Sequence, residues 1–127
     1  MTPMLRFFRH GDGRLALFNG STEGPEGAID AALERDDAKG RPFGFAPHSG
    51  YQRLAAGPAS LVVDTGRAPP GPFSHEAHAG CLAFEMSAGR SRMIVNCGAT
   101  KVLGPEWEAA SRATAAHSTL VLADTSS

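Results

Sequence analysis

Cysteine is scarce in this chain of 127 residues, with two, and tryptophan and tyrosine occur once each. Two cysteines, Cys81 and Cys97, make no disulfide framework, so the redox compartment stays open. Excess charge is also missing: 12 Lys and Arg stand against 13 Asp and Glu, a formal net charge of -1. That balance forms no basic stripe, which gives no electrostatic reason for nucleic-acid binding. It likewise offers acidic polymers no long-range steering. No apolar run approaches the roughly 20 residues of a membrane span. The N-terminal MTPMLRFFRHGDGR has no signal-peptide core. A secretion signal, if the protein has one, must lie upstream.

What the chain does have is glycine and proline, 15 and 9 residues, above typical usage of about 7% and 5%. They separate short apolar runs, the pattern of an all-β chain with many turns. MLRFF and RLALFN read as strands joined by RHGDG, whose Asp12-Gly13 step signals a hairpin. No helical pattern follows Gly11-Asp12-Gly13, so it is not read as a phosphate loop. AIDAALERDDAKG has Ile29 and Leu33 four apart and Gly40 beyond, which predicts a short helix. RPFGFAPHSG is an irregular loop with His48 exposed. A hairpin is expected from Tyr51 to Asp64 through Gly57-Pro58, and a clearer one over CLAFEMSAGRSRMIVNCG, turning near Gly89. A helical turn from about Glu106 and a last strand, HSTLVLAD, complete the chain. About seven strands and one or two short helices predict an antiparallel β-sandwich, whole or partial. Strands at both ends point to a single partial domain over residues 1–127, truncated on either side.

The densest chemistry lies in FSHEAHAGCLAFEMSAGRSRMIVNCGA. His75 and His78 are three apart, whereas H-E-x-x-H needs histidines four apart on a helix. The cysteines form no C-x-x-C pair, which excludes a zinc ribbon, and no G-x-S-x-G elbow occurs. Alternate residues share a strand face. A turn centred on Gly89 would place His78, Leu82, Phe84 and Met86 with Ile94 and Asn96, and Cys81 opposite Cys97. A half-residue shift would undo both statements. His78, Asn96 and His117 could then converge on one face. Imidazole suits zinc, but an amide oxygen is a weak neutral ligand. The other reading is of histidines hydrogen-bonded in a polar cleft.

HAGCLAFEMSAGRSRMIVNCGA resembles the H-A-D-x-L-x-F-E-L... L-x-V-D-P-G signature of heparinase II/III-like polysaccharide lyases. SRATAAHSTLVLAD resembles the R-S-T-x-A-H-N-T-V-x-V-D segment that follows it there. The resemblance covers residues 74 to 124, with weaker likeness upstream. It implies the C-terminal β-sandwich, of polysaccharide-lyase supersandwich type, of a longer chain whose N-terminal (α/α) toroid is absent here. It also implies β-elimination on uronate-containing acidic polysaccharides such as glycosaminoglycans, in the periplasm or cell envelope. In that reaction the C5 proton is removed, the carboxylate neutralised and the O4 leaving group protonated, which needs positioned His and Tyr groups. The family's zinc, held by two His and one Asp, maps onto His78, His117 and Asn96. Asn96 in place of Asp predicts a weakened or lost zinc. The sandwich's catalytic His maps onto Glu76, with His75 one step before it. Gly80 stands where the family has the H-A-D aspartate. Tyr51 matches no catalytic motif and reads as a packing residue, and Trp107 reads as a core or interface anchor. The chain alone is expected to be inactive. The alternative is a non-catalytic carbohydrate-binding or structural sandwich.

Overall fold

The computed structural model describes residues 2–36, 40–74, 77–98 and 103–125. One antiparallel sheet runs β1-β2-β3-β4, with β1 at Tyr51–Ala56, β2 at Ala59–Asp64, β3 at Phe84–Ala88 and β4 at Ser91–Ile94. Among the described residues three short α-helices accompany it, α1 at Thr2–Phe8, α2 at Ala28–Arg35 and α3 at Pro105–Arg112. The expected antiparallel all-β class with short helices therefore holds. So do two of the three expected hairpins, β1–β2 and β3–β4, the helix after Gly27 and the helical turn near Glu106.

Three expected strands are corrected, and with two of them the hairpin through Asp12-Gly13: RLALFN contributes only the isolated bridge of Leu15 with Arg9. MLRFF forms α1 instead. Pro3 sits in its first turn, where a missing N–H costs nothing, and Met4, Phe7 and Phe8 recur at helical spacing. Phe7 is fully buried, with Met4 and Phe8 packed on the same core. At the other end, HSTLVLAD makes only the isolated bridge Leu122–Thr125 and one rung, in which Phe84 N–H donates to Ser118 O at 3.1 Å. Leu120, Val121 and Leu122 stay exposed. Alternation without a neighbouring edge gives a strand nowhere to place its backbone hydrogen bonds.

The β3–β4 register is set by a two-residue turn. Ala88 faces Ser91 and Ser87 faces Arg92, so the turn centres between Gly89 and Arg90. A bulge then absorbs Met93, and Met86 faces Ile94. The half-residue shift is real at the turn, and the bulge undoes it further along. Cys81 and Cys97 lie outside the ladder as exposed free thiols.

Pairing across the sheet sorts its two faces. Arg53, Val62 and Glu85 form one row on the first face, and Ser60, Ser87 and Arg92 another. Leu54, Leu61, Met86 and Ile94 form a row on the second. The N-terminal segment covers the first face. There Phe43, Phe7, Phe8, Tyr51 and Phe18 make a chain of ring contacts with centroids 4.9 to 5.1 Å apart. Such pairs add about 0.5–1.5 kcal/mol each beyond burial.

Candidate functional site

Two polar constellations sit on the covered face. The first is centred on Glu85, which is shut off from solvent. Its Oε1 accepts the N–H groups of Leu17 at 2.8 Å and Asn96 at 3.0 Å, and the Asn96 side-chain amide at 3.4 Å. Its Oε2 lies 2.9 Å from His10 Nε2. Burial alone would raise the Glu85 pKa, but the bonds from His10, Asn96 and Leu17 outweigh it and hold the carboxyl below its ordinary range. His10 Nδ1 is 2.9 Å from Ser87 Oγ, which is 3.0 Å from Ser60 Oγ. The order Ser, His, Glu is that of a hydrolase triad. Ser87, however, is 1% exposed, so no substrate carbonyl can reach it. This is a structural hub that ties the N-terminal segment, β3 and the Asn96 loop together.

The second constellation opens to solvent. A cavity of about 740 Å³ is lined by Asn19, Tyr51, Asp64, Arg67, His78 and Arg112, among others. His78 Nδ1 lies 3.2 Å from His117 Nε2, with ring centroids 5.1 Å apart. A Cβ at Gly80 would crowd Ala83 Cβ at 3.3 Å and would meet the His117 ring at an ordinary 3.6 Å. Burial lowers the His117 pKa, outweighing a Ser111 backbone bond that raises it. Arg112 holds the loop before His78, its Nε donating to Ala77 O at 3.1 Å. Burial and the Asp64 carboxylate push the Tyr51 phenol well above its usual value, against the lowering bond from Asn19.

Asn19 is the link that sequence reasoning missed. Its Nδ2 donates to Tyr51 Oη at 3.0 Å, and its Oδ1 accepts the His78 N–H at 3.2 Å. Asn19 and Gly20 both have positive φ, 48° and 72°, as an Asn-Gly turn requires. A Cβ at Gly20 would stand 3.0 Å from His78 Nε2, so both backbone and space call for glycine. The Asn-Gly dipeptide in LFNGS was the available signal. Tyr51, expected as packing, serves both the aromatic core and the cavity wall. Trp107 is 59% exposed on α3, which corrects the core half of the expected core or interface anchor.

The expected site residues divide three ways. His75 and Glu76 lie outside the described residues. His78 and His117 come together. Asn96 does not join them as a ligand: it is buried, its Oδ1 accepts the Ser118 N–H at 3.2 Å, and its amide nitrogen faces Glu85. Two nitrogens on a tetrahedral zinc with bonds of about 2.0–2.1 Å are about 3.3 Å apart, which the histidine pair matches. Among the described residues the third donor is lacking, because Asn96 is neutral and engaged. Among the described residues no three His, Cys, Asp or Glu side chains are grouped to hold a metal. The described residues by themselves do not make a complete zinc site.

Residues 38–127 match the family described as Heparinase II/III-like, C-terminal. The chain belongs to that family. Within this heparinase II/III-like domain the match includes the β1–β4 sheet, His78 and His117. The chain is also 43% identical over 99 residues to the FtsZ-localized protein C of Caulobacter vibrioides (strain NA1000 / CB15N), covering 77% of the chain. That overlap is 17% of the relative's length. No solved structure matches significantly. The family is polysaccharide lyase-like, and the relative's name does not specify catalysis. Among the described residues no helix is long and apolar enough to cross a membrane.

Proposed function

We propose that the Tyr51–His78 cavity, backed by His117, is one wall of a site that cleaves uronate-containing acidic glycans by β-elimination, completed by a toroid in a longer chain. The observation that supports it is that His78, paired with His117 at 3.2 Å, lines a solvent-open cavity that also holds a phenol. Tyr51 stays protonated because its pKa is raised, which suits donation to the leaving O4 and not proton abstraction. His78 is positioned by Asn19 as the proton acceptor on this wall. Arg67, exposed at the rim, is placed to neutralise a uronate carboxylate. His75 and Glu76 remain candidates for the family's catalytic histidine position. Zinc binding is weak at most in this proposal, and the periplasm or cell envelope is the compartment.

The test follows unsaturated uronate by ultraviolet absorbance on heparin, heparan and alginate-type polymers. The longer chain should turn over and the 127 residues alone should not. Tyr51→Phe and His78→Ala should each lower kcat by about 10²–10⁴-fold, the range of a lost acid–base group. His75→Ala and Glu76→Ala, run side by side, identify which holds the family position. Turnover unaffected by any of them sinks the reading.

A second reading rests on the curated relative, whose printed name records localisation by FtsZ and no chemistry. In it the domain is a non-catalytic module of an FtsZ-associated protein. Absence of turnover in the longer chain, with FtsZ captured by it, would favour this one.

A further inference from the structure

A larger cavity, about 810 Å³, lies away from the Tyr51–His78 site and shares no lining residue with it. It sits where three turns meet: the Gly11–Gly13 loop, the Gly57-Pro58 turn and the Gly89-Arg90 turn. Gly89 N–H donates to Pro58 O at 2.8 Å, and Gly11 packs so close to Gly89 O that no Cβ would fit. The floor is thus backbone held rigid by other backbone. Charge around it is one-sided. Arg6, Arg9, Arg53 and Arg90 line the cavity against Asp12 and Asp30.

Both carboxylates are already matched. Asp30 pairs with Arg9, and Asp12 pairs with Arg92 at 2.8 Å. Arg6 gives one N–H to Gly40 O and Arg53 one to Phe7 O, each at 2.7 Å, so their guanidinium charge has no acidic partner among the described residues. Arg90 has neither a hydrogen bond nor an ion pair among them. Ser60 adds a hydroxyl to the lining. Three guanidiniums without an acidic partner among the described residues line one cavity, and an anion there would gain charge-assisted hydrogen bonds from each. Burial lowers the Arg53 pKa, the cost of its partial loss of hydration.

We propose that this cleft binds a small-molecule phosphate monoester, its dianion held by Arg6, Arg53 and Arg90. Guanidinium forks match phosphate oxygens in pairs, and a monoester carries close to two negative charges at neutral pH. The cavity is of ligand size, far larger than the anion, which leaves room for a sugar-sized body. Side chains supply the recognition here, not the amides of the Gly11–Gly13 loop. The cleft thus differs from a phosphate loop, which the sequence lacks.

The experiment is a titration of the 127-residue chain with glucose 1-phosphate, inorganic phosphate and glucose, followed by amide chemical shifts. Saturable shifts at the three turns are expected with glucose 1-phosphate and none with glucose. Equal affinity for inorganic phosphate would support the site with free phosphate as its ligand, and tighter binding of the ester would assign the organic body a role. Arg90→Ala, at an exposed turn position, should weaken binding about tenfold, and Arg6→Ala/Arg90→Ala further still. Arg35→Ala, a surface change outside the cavity, should leave it unchanged. The proposal is overturned if no saturable shift occurs at about 10 mM of either phosphate, beyond the millimolar class of Kd. It is equally overturned if Arg35→Ala weakens binding as much as Arg90→Ala.

Discussion

The two faces of the sheet invert the usual arrangement. The covered face holds Glu85, Ser87 and Ser60 beside Val62 and Tyr51, and the open face holds Leu54, Leu61, Met86 and Ile94 in one row. Leu54 is 56% exposed and Met93 is 63% exposed. Hydrophobicity alone would bury the second row and expose the first. The polar face can be covered because what covers it supplies partners: His10, the Leu17 N–H and the Phe7 carbonyl each meet a polar side chain. No buried side-chain N or O among the described residues lacks a hydrogen bond. Burial here is set by complementarity of hydrogen bonds, and apolar area follows the aromatic chain instead.

The sharpest way to break this comparison is Glu85→Ala. It leaves His10 Nε2 and the N–H groups of Leu17 and Asn96 without their acceptor. Stability should fall by about 3–5 kcal/mol, the sum of several buried unsatisfied donors. Urea denaturation measures it, and a loss under about 1 kcal/mol would show the hub to be incidental. Next comes Asn96→Asp, which puts a second carboxylate where the amide meets Glu85. Metal-free protein should lose about 1–3 kcal/mol. Zinc should restore part of it through His78 and His117, seen as a zinc-dependent rise in Tm absent from the parent chain.

Acid should act on the covered face through Glu85 and Asp12. For Asp12 burial raises the pKa, but the Arg14 backbone bond and the Arg92 guanidinium outweigh it. Both folded pKa values are therefore depressed below the ordinary 4.5 and 3.8. Their stabilisation is fully present above those values and is lost as pH falls through the lower folded values, about 1.4 kcal/mol per unit of depression. Urea midpoints measured from pH 6 down to pH 2 should fall below about pH 4.5, and Glu85→Gln should flatten much of that limb. A midpoint unchanged across that range would contradict the direction. The smallest effect is on the open face. Leu54→Ser with Met93→Ser should shift monomer stability by no more than about 0.5 kcal/mol. The same change should reduce concentration-dependent association in sedimentation, since exposed apolar patches promote it. A large loss of stability would mean that the open face is buried after all.

Both hairpins were legible because alternating apolar runs are separated by Gly-Pro and Gly-Arg steps, a local signal. α2 was legible from Ile29 and Leu33. The N-terminal helix was misread, although Met4, Phe7 and Phe8 carry its spacing, because a five-residue apolar run fits either period. The histidine pair was foreseen from the family motif, while Asn19 was not, since its role is a contact across 59 positions of sequence to His78. His10 and Glu85 were invisible for the same reason, being 75 positions apart.

By itself the sequence determined the class, the hairpin positions, the family and the candidates His78 and His117, all of which rest on short-range pattern and motif. Tertiary structure alone decided which face of the sheet is covered, that Asn96 serves Glu85 and Ser118, and that three arginines with no acidic partner among the described residues line one cavity at the turns. Strand alternation divides residues into two sets, but it does not say which set meets a partner. That choice belongs to hydrogen bonds and rings supplied from distant parts of the chain.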